Sequence, residues 1–217
     1  MRKLIRLLLI MGIFFLVGCA NSPKPESTVA NFIDAGKKFD LSQMAAMVNP
    51  TDSNGREKIA GVMKSDGEGE GSKNQYQKYF IDYCKENAAK ITYVVKESKI
   101  ENDTATVTAD FKYVDGGPVL KATLGEVFSK ALSLAFTGAE MKDEDVGQMF
   151  VSAMQSQKET VKESFVEKTI PIKLTKVNNQ WYIDQPGDEL LDVFTSNFVS
   201  VGKEINNSMN SASSNAE

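Results

Sequence analysis

The sequence predicts an α+β domain in which about four antiparallel strands are wrapped by helices. Three observations lead there. Apolar residues recur at helical spacing up to residue 90, then alternate strictly between 91 and 113, and alternate again between 170 and 183. Helical periodicity fills the interval between the two alternating blocks and resumes after Pro186-Gly187. Each alternating block is divided by a turn signal, Glu101-Asn102-Asp103 in the first and Asn178-Asn179 in the second, which makes each block a hairpin.

The chain opens with MRKLIRLLLIMGIFFLVGC. Arg2, Lys3 and Arg6 form a positive region, and the apolar run 7–17 that follows reaches only about 17 Å as a helix, too short for a hydrocarbon core of about 30 Å. The run ends in Leu16-Val17-Gly18-Cys19, which resembles the lipobox of bacterial lipoprotein signal peptides, whose cysteine is joined to diacylglycerol before cleavage on its N-terminal side. Residues 1–18 are then a signal peptide and Cys19 is the lipidated N-terminus of the mature chain. Two long acyl chains at about 0.8 kcal/mol per buried methylene supply on the order of 20 kcal/mol, enough for a lasting anchor. Residues 19–26, with Pro23 and Pro25, have linker composition and extend at most about 27 Å. The implied address is the cell membrane, lipid-anchored and facing away from the cytoplasm.

Residues 27–205 are read as a single domain. Ser27 can cap a first helix with Val29, Phe32 and Ile33 on its apolar face, and Gly36 prepares its break. Asp40 can cap a second, short helix bearing Met44, Met47 and Val48, closed by Asn49-Pro50. Met44 and Met47 without His or a second Cys beside them read as core rather than soft-metal ligands. Residues 56–63 suggest a third short helix. The glycine-alternating acidic loop 65–72 lacks the ligand spacing of an EF-hand and reads as solvated. Residues 74–90 bring Tyr76, Tyr79, Phe80, Tyr83 and Cys84 together at helical spacing.

In the first hairpin Ile91, Tyr93 and Val95 precede Ala105, Val107, Ala109, Phe111 and Tyr113, which alternate with Thr104, Thr106, Thr108, Asp110 and Lys112. Asp115-Gly116-Gly117-Pro118 ends it. A helical insertion, 123–165, comes next. Its first helix, 123–136, carries an unusually broad apolar face and stops at Gly138. Its second opens at Asp143, where Glu144 and Asp145 favour the positive helix end, and buries Val146, Met149, Phe150, Ala153, Val161 and Phe165. The closing hairpin sets Ile170, Ile172 and Leu174 against Trp181 and Ile183, and Pro171 requires its strand to be an edge or to bulge. A last amphipathic helix carries Leu190, Leu191, Phe194, Phe198 and Val201. Residues 206–217, rich in Asn, Ser and Ala, are expected to be disordered.

Composition excludes more than it assigns. Loss of residues 1–18 removes three positive charges and no negative one, taking the formal charge from −4 to −7. Such a chain has no basic stripe for nucleic acid. Only Cys19 and Cys84 are present, so with Cys19 lipidated Cys84 has no disulfide partner and reads as a small buried residue. There is no histidine, which removes imidazole acid/base work, His-dependent triads and histidine-ligated metal sites. No phosphate-cradling glycine motif is present and no cofactor is expected.

At Val177-Asn178-Asn179-Gln180-Trp181-Tyr182-Ile183-Asp184, together with the helix around Phe32 and the strand at Asp103-Thr104-Ala105-Thr106-Val107, the chain resembles uncharacterised bacterial lipoproteins with a cystatin-like, nuclear-transport-factor-two-like domain. The resemblance runs over most of 27–185. It implies a strongly curved antiparallel sheet forming a cone around packed helices, whose open end holds a ligand or faces a partner. The insertion 123–165 and the helix after Pro186 depart from that pattern. Related cones host both enzymes and pure binding modules.

Two functional classes follow. One is a membrane-anchored binding or scaffolding module that contacts lipid through acylated Cys19 and takes a protein or small-molecule partner. The other is an isomerase- or dehydratase-like enzyme using a carboxylate and a tyrosine inside the cone. Asp82 with Tyr79 is its candidate pair, since Tyr83 at i,i+1 cannot face Asp82. The absence of nucleophile, metal and phosphate motifs favours the binding module. Its partner surface is expected on the insertion, unless the C-terminal helix around Leu191, Phe194 and Phe198 covers the surplus apolar face.

Overall fold

The computed structural model describes residues 23–61, 73–138 and 142–214. Helix α1 (Pro25–Lys37) starts one turn earlier than the sequence suggested: Lys24, not Ser27, is its N-cap. Pro25 sits at the first helical position, where its missing N–H costs nothing and its fixed φ is already helical. Asp40 caps α2 (Leu41–Ala46) as expected, its carboxylate accepting the Gln43 amide at 2.9 Å. Short helix α3 (Ser53–Gly61) and the aromatic helix α4 (Lys73–Ala88) complete the N-terminal part.

Four strands, β1 (Thr92–Glu101), β2 (Thr104–Val114), β3 (Phe165–Val177) and β4 (Gln180–Ile183), form one open antiparallel sheet in the order β1-β2-β3-β4. β2 and β3 pair without a break from Thr104↔Thr175 to Val114↔Phe165, although the whole helical insertion separates them in sequence. Asn102, Asn178 and Asn179 take positive φ (55°, 49° and 65°), the conformation that tight hairpin turns demand and asparagine tolerates. In β1 the four residues Val95 to Ser98 lie opposite the three from Ala109 to Val107, so the strand carries a bulge. The Glu26 carboxylate enters it, accepting the Ser98 amide at 2.9 Å and the Ser98 hydroxyl at 2.6 Å. Pro171 lies in an unbulged pair with Thr108. It is tolerated because β4 pairs only with Leu174 to Val177, leaving β3 an edge strand at that point.

Period-two alternation does what it predicts. Ala105, Val107, Ala109, Phe111 and Tyr113 are buried, as are Ile170, Ile172, Leu174, Trp181 and Ile183, while the intervening residues face the other side of the sheet. Helix α1 lies over β1, β2 and β4, and α4 and α7 (Asp188–Thr195) close over β2. The Phe32 and Phe194 rings meet edge to face at 5.9 Å, and Phe198 stacks on Tyr83 at 5.4 Å. The inner face of the sheet is therefore packed with helix side chains. Gly36 makes the α1–α7 contact possible, because a Cβ there would lie 2.2 Å from Phe194 Cε1.

The insertion forms an antiparallel helical pair, α5 (Gly117–Phe136) and α6 (Asp143–Thr160). The start of α5 is displaced from residue 123: Gly116 is the N-cap, Pro118 lies in the first turn, and Asp115 Oδ1 accepts the Gly117 amide at 3.0 Å. Two expectations about α6 fail. Val146 is 40% exposed, and Phe165 lies outside the helix, because the chain turns extended at Val161 and Phe165 opens β3 opposite Val114. The C-terminal helix α8 runs from Phe198 to Ser214, correcting the disordered tail expected from residue 206. Ser208 and Ser211 accommodate the helix by donating their hydroxyls back to the Glu204 and Asn207 carbonyls at 2.9 and 2.8 Å.

Candidate docking site

Tyr79 and Asp82, the candidate acid/base pair, lie on α4 in different surroundings. Asp82 is exposed and bonded to Lys78, and the hydrogen bond from that ammonium holds its carboxyl below the usual range. Tyr79 is half-buried, its phenol raised chiefly by burial. Tyr83 is raised by burial too and lies beneath the Phe198 ring. Cys84 is fully buried, and burial pushes its thiol up to about 12, a structural and unreactive position. Met44 is core. Among the described residues no group of three or more Cys, Asp or Glu side chains could hold a metal. Cys19 and the acidic loop 65–72 lie outside the described residues.

A tyrosine–carboxylate pair does form, at a place that sequence spacing could not reveal. Tyr93 on β1 donates to Asp34 Oδ1 on α1 at 2.8 Å, and the Lys37 ammonium lies 5.8 Å from the ring centre. Burial, reinforced by the Asp34 charge, pushes the phenol up to about 12. A phenol so hard to ionise, already donating its proton to a carboxylate, fastens helix to strand.

The sheet presents a shallow groove of about 410 Å³ on its open side, lined among others by Val94, Lys112 and Glu167. A second groove, about 420 Å³ and mostly apolar, runs between Phe80, Leu191, Phe198 and Val199, with Lys58, Asp188 and Lys203 at its rim.

The larger anomaly is on α5. Val119, Leu120 and Thr123 are buried, and Leu124, Val127 and Ala131 are half-buried on the same side. Yet Phe128 is 70%, Leu132 46% and Phe136 83% exposed. At 3.6 residues per turn these three continue the row of Leu120 and Leu124 and turn progressively off the buried side, about 80°, 120° and 160° around the helix from Leu120. On the other side of the helix Lys130 Nζ donates to Glu126 Oε1 at 2.6 Å, and Gln157 of α6 donates to Glu126 Oε2 at 3.0 Å, drawing the Glu126 carboxyl below the usual range through these bonds. The C-terminal segment covers only the base of α5, through Val201 beside Gly117 and the Lys121–Glu204 ion pair. Leu191, Phe194 and Phe198 go into the core instead. The surplus apolar face, legible in the sequence, thus stays uncovered among the described residues.

The position of this face relative to the N-terminus is fixed by the sheet. Helix α1 begins beside Ser98 and Trp181, near the end of the sheet that carries the turns Asn102-Asp103 and Asn178-Asn179. It ends beside Tyr93, toward the other end. Helices α5 and α6 leave from that other end, between Val114 and Phe165. Pro25 and the base of α5 therefore lie toward opposite ends of the sheet.

No family model and no curated protein matches the chain. Among solved structures it is similar to ycdA of Bacillus subtilis subsp. subtilis str. 168, provisionally described as a lipoprotein, with 14% identity and a TM-score of 0.42 over 77% of this chain. The chain spans 57% of the length of that protein. Among the described residues no helix is long and apolar enough to cross a membrane.

Proposed function

We propose that this is a cell-envelope lipoprotein, anchored through acylated Cys19, whose domain binds or scaffolds a partner and does not catalyse. One observation carries the binding reading: the inner face of the sheet is packed with Phe32, Phe111, Tyr113, Trp181 and Phe194, while large apolar side chains stand in solvent on α5. On this reading the fold is a cystatin-like, nuclear-transport-factor-two-like cone filled by its own helices, which moves recognition from the cone mouth to the helical insertion. Apolar patches of several hundred Å² on a monomer mark interaction sites. The anchor reading is supported by the Leu16-Val17-Gly18-Cys19 motif behind an apolar run too short to span a bilayer.

Two measurements test it. The intact mass of the membrane-extracted protein is expected to show a chain beginning at a diacylglyceryl-modified Cys19, and Cys19→Ser is expected to leave the precursor unprocessed; an unmodified Cys19 overturns the anchor. A photo-cross-linking amino acid at position 132, activated in intact cells, is expected to give a discrete adduct. An adduct from exposed Lys99 on β1 but none from position 132 overturns the docking reading.

A further inference from the structure

We propose that the occupant of the exposed α5 stripe is a second copy of this chain, packed antiparallel along α5 about a two-fold axis; this rests on the reading of the insertion as a docking face. Gly125, Phe128, Leu132 and Ala135 follow one another at intervals of three, four and three, the spacing of a helix–helix seam. That pattern points outward, on a helix whose other side is already used by the fold. A helix apolar on both sides has both sides packed.

Self-pairing is the arrangement that the stripe itself fits. In an antiparallel pair whose axis passes at the level of residue 130, Phe128 of one copy meets Leu132 of the other, twice. Gly125 meets Ala135, twice, outside them. Two large–large layers occupy the centre and two small–small layers let the helices approach at the ends, with Phe136 flanking. An isologous contact requires such self-complementarity. Charge does not oppose it, since Glu126 and Lys130 lie on the far side of α5 and Lys121, on the side of the seam, is paired with Glu204 within each copy.

The area is sufficient. With an aromatic side chain taken as roughly 200 Å², Phe128, Leu132 and Phe136 leave roughly 400 Å² in water. Two copies with their flanks then bury about 1,000 Å², the lower bound of a specific interface. A lipid surface is the other apolar occupant, and the polar arrangement of the molecule argues against it. An anchor preceding Pro25 joins the domain at the turn end of the sheet, whereas α5 starts from the other end.

The test uses the mature lipidated chain in density-matched detergent, with sedimentation equilibrium as the readout. The wild type is expected to be dimeric, and Phe128→Glu and Leu132→Lys each to weaken dimerisation by at least about a hundredfold, because each buries an unpaired charge at the seam. Mixing Phe128→Glu copies with Leu132→Lys copies is expected to restore a heterodimer, since the antiparallel register places the new carboxylate against the new ammonium. The proposal is overturned by a wild type that stays monomeric at about 0.1 mM, by a dimer that tolerates both variants, or by a mixture that does not recover. Circular dichroism is expected to show both variants folded; if Phe128→Glu unfolds the chain, Phe128 is core and the proposal falls. With Cys84 buried and Cys19 acylated, a fluorophore on Leu132→Cys labels one site. Its quenching by acyl-brominated lipids in proteoliposomes would assign the stripe to the bilayer and overturn the second copy. A position-132 adduct with a different protein would overturn it as well while leaving the docking reading intact.

Discussion

Replacing Gly36 by alanine tests the approach of α1 to the Phe194 ring of α7. On an open helix surface the change stabilises by roughly 0.5–1 kcal/mol, because glycine loses more backbone freedom on folding. At Gly36 the added Cβ would lie 2.2, 2.5 and 2.8 Å from Cε1, Cδ1 and Cζ of Phe194, where carbons in contact normally keep about 3.5–4.0 Å apart. The ring must retreat by more than about 1 Å. It is buried and held edge-on by Phe32, itself fully buried, so the retreat propagates into the core. Overpacking of this kind costs about 1–3 kcal/mol, leaving a net loss of about 1–2 kcal/mol after the backbone gain. Urea unfolding followed by Trp181 fluorescence reads the difference directly. The double variant Gly36→Ala with Phe194→Leu is expected to be more stable than the sum of the two single losses, with a coupling of about 1 kcal/mol. A Gly36→Ala protein more stable than the wild type would refute the argument, since it would mean that α1 and α7 are not in contact at this point.

Trp181→Ala is expected to cost about 3–5 kcal/mol, because the side chain is 4% exposed and closes the inner face of β4; a loss below about 1 kcal/mol would place it outside the core. The Glu26–Ser98 contact predicts a pH dependence of defined sign. Burial raises the Glu26 carboxyl, but the Ser98 hydroxyl and amide bonds outweigh it and leave the group below its ordinary value. A carboxyl depressed in the folded state stabilises fully above the unfolded value of about 4.3 and loses that contribution as pH falls through the folded value. Ser98→Ala is therefore expected to be less stable than wild type at pH 7 and to approach it near pH 3; a stability difference constant over that range would contradict the assignment.

The parts legible in the sequence are those with a local physical signature. Alternation named the buried faces of β2, β3 and β4 residue by residue, since a one-residue slip would expose every one of them. Asparagine at the positive-φ turns located both hairpins. The excess of apolar residues over 123–136 announced a face that needs cover from the C-terminal helix or from a partner. What stayed hidden was pairing across long separations. Nothing near Glu26 announces that its carboxylate repairs a bulge 72 positions away, and nothing near Tyr93 announces Asp34. Gly36 looked like a helix breaker because its reason, the Phe194 ring, lies in another element. The sequence left open whether the C-terminal helix or a partner covers α5, since either would bury the same residues. Only the depth reached by Val201 and Glu204 along α5 separates the two.

The shortness of β4 has a consequence for how copies meet at high concentration. It leaves the β3 segment from Phe165 to Ile172 without a neighbour on one side, and such a backbone row is a template on which a strand from another molecule can add. Pro171 interrupts that row by offering no amide, and Lys168 and Lys173 bracket it with charge. At the opposite edge β1 is bent by its bulge, whose freed amide is already taken by Glu26, and carries Lys96 and Lys99. Both borders of the sheet are thereby made poor substrates for β-augmentation, so molecules at high local concentration are protected from growing into a continuous sheet.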